Sequence, residues 1–348
     1  MTGMPGADLG TVTGGSSSAV AVELGDSAAT GVRGVEAKEI IGRSPGQLAW
    51  MRLKRDRVAV TSGIALLFFV FVAVAAPLIE SVYGIGPQQS FQDRISLRDG
   101  MPLGYLGGVD GTHWFGIEPA LGRDIFIRMV YGMRTSLSIA FSAAVITTML
   151  GIVMGIVAGY LGGVVDAVIT WVTDLALALP FLLFCFAIIP TAQLAFYGPR
   201  DEVPSTFQVF ILIGVFSLLS WTYTARLVRG QVISLREREF VDAARAAGAG
   251  TRHILFSQLL PNIWAPVLVA FSLALPQFVT AEAALAFLSV GITEPTPDFG
   301  GMIFKSIGYL QSDPAYTFFP GITIFLVVLA FNLFGDSLRD ALDPKSAR

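Results

Sequence analysis

Few side chains in this sequence of 348 residues could do chemistry, and those few stand apart. His113 sits beside Trp114 with no His, Cys or carboxylate at ligand spacing to complete a metal site or an acid–base pair, so its expected role is structural or interfacial. The single cysteine, Cys185, lies in an apolar run and reads as a buried thiol, without a disulfide framework or a cysteine-based metal site. Asp166, Asp174 and Glu282 fall in or beside apolar stretches, where an ionised group is costly and must face water, protein or a partner. Glu282 suits either a translocation pathway or a bond between helices, and the residues leave both open. The sequence has no G-x-x-x-x-G-K-[ST] phosphate loop, so it carries no ATPase site of its own. An intramembrane enzyme would need a paired nucleophile and base, or metal ligands, within the apolar stretches, and these are lacking. The expected catalytic residues, metal ligands and resident cofactors are none.

One polar stretch has a different grammar. Residues 239–261, EFVDAARAAGAGTRHILFSQLLP, lie between the apolar runs 207–228 and 262–291, so a short amphipathic device there must work at a membrane surface. Asp242 is a good N-cap for a short helix through Ala243, Ala244, Arg245, Ala246 and Ala247, and Gly248 and Gly250 supply the freedom to stop it. Thr251 can cap a second helix, whose regular pattern should end near Pro261. A helix of one or two turns is marginal alone in water, and its small alanines suit burial in a groove on another protein.

The elements that position these residues follow from composition. Hydrophobic residues make up 53% of the chain and charged residues 14%, too little polar surface for a water-soluble domain, so the class is an all-α integral membrane protein. The short alternating segments of a closed β-barrel are absent. Six segments can span the hydrocarbon as helices, at about 58–79, 136–160, 165–189, 207–228, 263–291 and 318–338. With the N-terminus inside, sixteen of the 23 Lys and Arg residues fall on the inner side, which puts both termini and residues 239–261 in the cytoplasm and Asp166 at the cytoplasmic interface. The domain plan is then a cytoplasmic segment 1–57, a first span 58–79, an outer loop 80–134, a core 135–338 with five spans, and a cytoplasmic tail 339–348. Residues 1–34, rich in Gly, Ser, Ala and Thr, read as disordered, and 35–57 as lying along the inner membrane surface. The outer loop is expected to pass from Gly-punctuated turns into an amphipathic helix that enters the second span. Gly151, Gly155 and Gly159 share one face of that span and allow close backbone contact with a neighbour.

The spacing within 239–261 resembles the E-A-A-x3-G-x9-I-x-L-P signature of importer permeases of the ATP-binding cassette class: Asp242, Ala243, Ala244, then Gly248, then Gln258, Leu259, Leu260 and Pro261. Asp242 stands for Glu and Gln258 for Ile; the Gly and the Leu-Pro pair keep their places. Residues 113–137, 282–303 and 318–344 look like those of the dipeptide, oligopeptide and nickel permease family, binding-protein-dependent inner membrane components, specifically its C-type subunit. The similarity covers about 48–344. It implies a type I importer permease fold with six transmembrane helices and a cytoplasmic coupling helix beginning at Asp242, and a coupling site of Asp242, Ala243, Ala244, Arg245, Ala247, Gly248, Leu260 and Pro261. It also implies a place in a bacterial inner membrane beside lipid, a B-type permease as partner in the pathway, two cytoplasmic ATPases holding ATP and Mg, and an extracytoplasmic binding protein. No nucleic-acid partner is expected.

The function implied is an ATP-driven peptide importer permease. The alternatives are a permease for nickel chelates or other small solutes, and, from a different class, an ion-coupled secondary transporter using Glu282. Deleting residues 2–34 is expected to leave the transporter complex intact, checked by its recovery on affinity purification; loss of the complex would show that the tail is not a passive extension.

Overall fold

Hydrocarbon offers no partner to a free N–H or C=O, so apolar runs of this length must fold into helices that satisfy both within one segment. The structure, a computed structural model, describes residues 45–343. The expectations for residues 1–34 and for the last five residues lie outside the described part. That part opens with α1 (Pro45–Arg55), and the Asp56 carboxylate then caps α2 (Arg57–Val74) by accepting from the Val58 N–H at 2.8 Å. A kink at Ala75, one residue before a Pro-initiated turn, leads into α3 (Ala76–Tyr83). After the loop 84–124, helix α4 (Ile125–Leu161) runs for 37 residues, followed by α5 (Gly163–Ala178), α6 (Phe181–Phe196) and α7 (Ser205–Arg236). Two short helices, α8 (Glu239–Ala246) and α9 (Thr251–His253), precede α10 (Leu260–Phe287), and α11 (Phe299–Ser306) and α12 (Pro314–Leu342) complete the order.

Five helical stretches are long and apolar enough to cross a membrane, and the bent pair α5–α6 makes a sixth if it counts as one crossing. The expected straight span 165–189 is therefore corrected. Its two halves meet at 90°, because Pro180 pushes Leu179 out of the helical region into an extended conformation, φ −78° and ψ 128°. The first residues of the expected tail 339–348 continue α12 as helix to Leu342. Leu67, Phe68, Phe71 and Val74 on α2, and Phe141, Met149 and Val153 on α4, are exposed, as lipid-facing positions should be. Among the described residues β structure amounts to isolated bridges in the 84–124 loop, such as Ile95 with Pro102.

The most extensive contact in the fold is between α4 and α7. Gly151, Gly155 and Gly159 make it possible. A Cβ at Gly155 would stand 2.6 Å from the Ala225 carbonyl oxygen and 2.7 Å from Val228 Cβ, and one at Gly159 would stand 2.9 Å from both the Arg229 carbonyl oxygen and Val232 Cβ. This is the close backbone contact read from the four-residue spacing, and α7 is the neighbour. α10 packs against both helices, with Phe216 of α7 stacked on Phe278 of α10 at 5.6 Å between centroids. Replacing Gly155 with Leu should push α4 off α7 at a cost of about 1–3 kcal/mol or more and lower the thermal midpoint of the purified protein. Gly214→Leu, on an open face of α7, should leave the midpoint nearly unchanged.

Candidate functional site

At the end of the bundle where α4 and α7 finish, α8 stands outside the spans on a single buried anchor. Val241 is fully buried among Ile156 of α4, Val228 and Val232 of α7, and Ile254, Leu259, Ile263 and Val267 on the way into and along α10. Asp242, Ala243, Arg245, Ala246, Ala247 and Gly248 are exposed, and Ala244 is half-buried. Arg245 bonds Asp242 at 3.1 Å and lies over the Tyr160 ring at 5.9 Å, while Arg236 donates to the Gly159 carbonyl at 2.8 Å, closing one of the last open carbonyls of α4. The helix stops as expected: Gly248 at φ +85° donates to Arg245 O and Ala249 donates to Ala244 O, both at 2.9 Å, which is the paired Schellman closure.

Two expectations here are corrected. Asp242 lies inside α8, not at its cap; Arg238 takes the cap position with extended geometry, so the helix begins a turn earlier. Gly250, not Thr251, precedes α9, and the chain does not break near Pro261 but runs on as helix from Thr251 to Phe287. The reason is the π-helical turn Ile254–Leu259, in which the Leu260 N–H reaches Leu255 O. Pro261 has no N–H, and its ring would collide with the Ser257 carbonyl in a regular helix; the wider turn just before it makes the room. Leu260 and Pro261 are thus the first turn of α10, not the end of a surface helix.

The opposite end of the bundle holds a charge cluster that the sequence did not announce. Glu118 accepts from Arg123 at 2.7 Å and from the Tyr316 hydroxyl at 2.8 Å, and Glu294 accepts from Arg123 and Arg128, each at 2.8 Å, with Lys305 against the same carboxylate. Arg128 is 2% exposed and Glu118 2%, so the Glu118 bonds are made away from water while Glu294 sits at the exposed rim, and together they tie the 84–124 loop to the 288–313 segment and α12. Burial lowers the Lys305 ammonium to about 8. His113 is structural: its Nδ1 lies 2.8 Å from Asp124 Oδ2, and Asp124 also accepts from Tyr83 and from the Ile127 N–H, which caps α4.

Glu282 is fully buried on α10, and neither carboxyl oxygen has a hydrogen-bond partner. The Ser136 hydroxyl lies beside it outside hydrogen-bonding geometry, and Asp298, the cap of α11, is close enough to act on it electrostatically. Burial pushes the Asp298 carboxyl above the usual carboxylate range, against the opposing pull of the Gly301 N–H, which it accepts at 2.7 Å. Asp166 and Asp174 on α5 meet Arg229 and Arg226 of α7, so the costly carboxylates of that segment are paired. Cys185 is buried. Among the described residues no group of three His, Cys, Asp or Glu side chains could hold a metal ion.

Between α4, the α5–α6 bend, α7, α10 and α12 lies a partly open cavity of about 760 Å³. Ala281 and Ala284 line it and Glu282 between them does not, because its side chain leaves α10 on the other side. Val241→Asp should detach α8 by placing a charge in its anchor site: hydrogen exchange of the 239–249 amides should rise sharply while the α4 and α7 amides stay protected.

Comparison with known proteins bears on what this arrangement serves. The family model described as binding-protein-dependent transport system inner membrane component matches residues 151–348, and that of the N-terminal TM domain of oligopeptide transport permease C matches residues 44–97. The chain is 38% identical over 302 residues to the dipeptide transport system permease protein DppC of Alkalihalophilus pseudofirmus, covering 87% of this chain and 90% of that one. It is 36% identical over 303 residues to the glutathione transport system permease protein GsiD of Salmonella paratyphi A, covering 87% and 91%. The GsiD of Escherichia coli O6:K15:H31 is 33% identical over the same length. The chain belongs to the family of binding-protein-dependent transport system inner membrane components.

Proposed function

We propose that this chain is the C-type permease subunit of an ATP-driven peptide importer, and that α8 with its flanking turn couples it to a cytoplasmic ATPase. The observation that carries the reading is the build of α8: a short helix with an exposed, alanine-rich face, joined to the ends of α4, α7 and α10 through the buried Val241. A partner that grips the exposed face moves the anchor, and the anchor is shared by three spans. In the full assembly two ATPases, each holding ATP and Mg, close on hydrolysable nucleotide and displace α8. A B-type permease supplies the other half of the pathway, which the displacement switches between outward and inward access, and an extracytoplasmic binding protein delivers the cargo. Peptide is the cargo because the relatives are named for dipeptide and glutathione transport. The crowding of Lys and Arg on the α8 side of the sequence supports a cytoplasmic location for that end and for both termini. A secondary transporter driven through Glu282 is disfavoured, since that carboxyl is fully buried and does not line the cavity.

The coupling reading is tested at Gly248. Its φ of +85° lies in the left-handed region while the space around it is open, so a Val there is strained by backbone conformation alone, at about 1–2 kcal/mol. In the reconstituted complex Gly248→Val should insert and assemble normally but uncouple ATP hydrolysis from peptide uptake. Unchanged uptake and unchanged substrate-stimulated hydrolysis would remove α8 from the coupling role.

A further inference from the structure

The cavity beside α10 has a chemical character of its own. No charged side chain lines it, and the wall is mostly aliphatic and aromatic, interrupted by hydroxyl side chains such as Thr147, Ser220 and Thr280 and by Gln277, Asn332 and Tyr223. Gln277, Asn332 and Tyr223 are exposed in the middle of spans, and within the described residues no hydrogen bond engages their side chains. Thr147 is buried on the same wall and its hydroxyl also lacks a partner. Thr280 returns its hydroxyl to the Pro276 carbonyl at 2.8 Å. Leu179, extended at the α5–α6 break, forms another part of the wall. Non-helical backbone and unpartnered amides at membrane depth are tolerated where they line a hydrated space or meet a polar ligand, not where they meet lipid.

We propose that this cavity is a peptide-binding site that engages the cargo through its amide groups, with Gln277 and Asn332 as the principal contacts and Tyr223 as a secondary one, and that it does not select by side-chain charge. A carboxamide presents a donor and an acceptor together, the same pair that a peptide unit presents, so each of the two can match an amide of any sequence. The volume falls in the range of ordinary small-molecule sites, and a few fixed polar groups on an apolar wall are what such sites use to orient a ligand. Without a formal charge on the wall, a lysine and a glutamate side chain meet the same field. The inference rests on the peptide-importer reading and adds to it the contacts and the indifference to charge.

The test uses the whole complex in proteoliposomes, with the partner permease, both ATPases and saturating peptide-loaded binding protein. Uptake rates of a lysine-bearing and a glutamate-bearing tripeptide are compared as a ratio, which removes any general change in activity. The wild type should give a ratio within about threefold of unity. Asn332→Asp should shift that ratio toward the lysine peptide by at least about fivefold and Asn332→Lys toward the glutamate peptide by a similar factor, since a new charge a few ångströms from cargo acts strongly in such a site. Ratios that stay at the wild-type value in both variants overturn the assignment. If either variant fails to assemble, Thr280→Cys in a Cys185→Ala background decides: labelling by a water-soluble thiol reagent that added tripeptide slows supports the site, and absent labelling or unprotected labelling overturns it. A wild-type complex that takes up neither peptide on ATP hydrolysis overturns the importer reading itself.

Discussion

At Gly151, Gly155 and Gly159 the bare backbone of α4 lies against the Trp221, Ala225 and Arg229 carbonyl oxygens and the Thr224, Val228 and Val232 side chains of α7. Lipid tails are as apolar as leucine, so helices in a bilayer are held by such close dispersion contact rather than by the expulsion of water. The contact fixes these two long helices as one body. Their paired ends then form the pit that receives Val241, and their middle sections carry one wall of the cavity, with α10 set against both. A shift of one helix along the other would disturb the α8 anchor and the cavity together, which links the two ends of the molecule mechanically.

Charges in the chain are placed by the same economy. Between α5 and α7 they occur as pairs across the helices, Asp166 with Arg229 and Asp174 with Arg226. At the loop end they form a denser knot around Glu118 and Glu294, where several donors converge on two carboxylates. Removing one partner from its buried half, where Arg123 and Arg128 meet Glu118, costs about 3–5 kcal/mol because it leaves a charge without its partner. The knot thus sets the 84–124 loop and the 288–313 segment firmly over the spans. Glu282 differs from both groups, a buried carboxyl beside Ser136 and Asp298 with no hydrogen bond of its own.

Most of the fold was legible in the sequence because hydrocarbon imposes a single requirement on length and polarity. The runs ending near Tyr160, Val228 and Leu338 became helices at those places, though with extra turns at the ends where polar residues such as Arg236 still helped to cap. Gly248 could be read because only a left-handed residue ends α8 in that way, and Gly155 because its spacing has one geometric use. What escaped was set by contacts distant in sequence or by rare backbone geometry. Nothing local marks Glu294 as a partner of Arg123, 171 residues away. Pro180 and Pro261 were alike as residues, yet one broke a helix at a right angle and the other was absorbed, because a π turn precedes only the second. Asp242 misled as a cap because its helix starts earlier, on residues without capping side chains.

The π turn has one more effect, on phase. In a regular helix each residue adds about 100°, so Ile254 and Leu259, five apart, would point to different sides of the cylinder. The single i→i+5 turn brings them to the same side, and both are buried in the Val241 pit. From there the stripe continues through Ile263, Val267 and Ala270 to Gln277 and Ala281 on the cavity wall. The wide turn therefore works as a clocking pin: it sets the angle at which α10 leaves the α8 end, and so decides which residues, several turns further along, look into the cavity and which, like Glu282, look away.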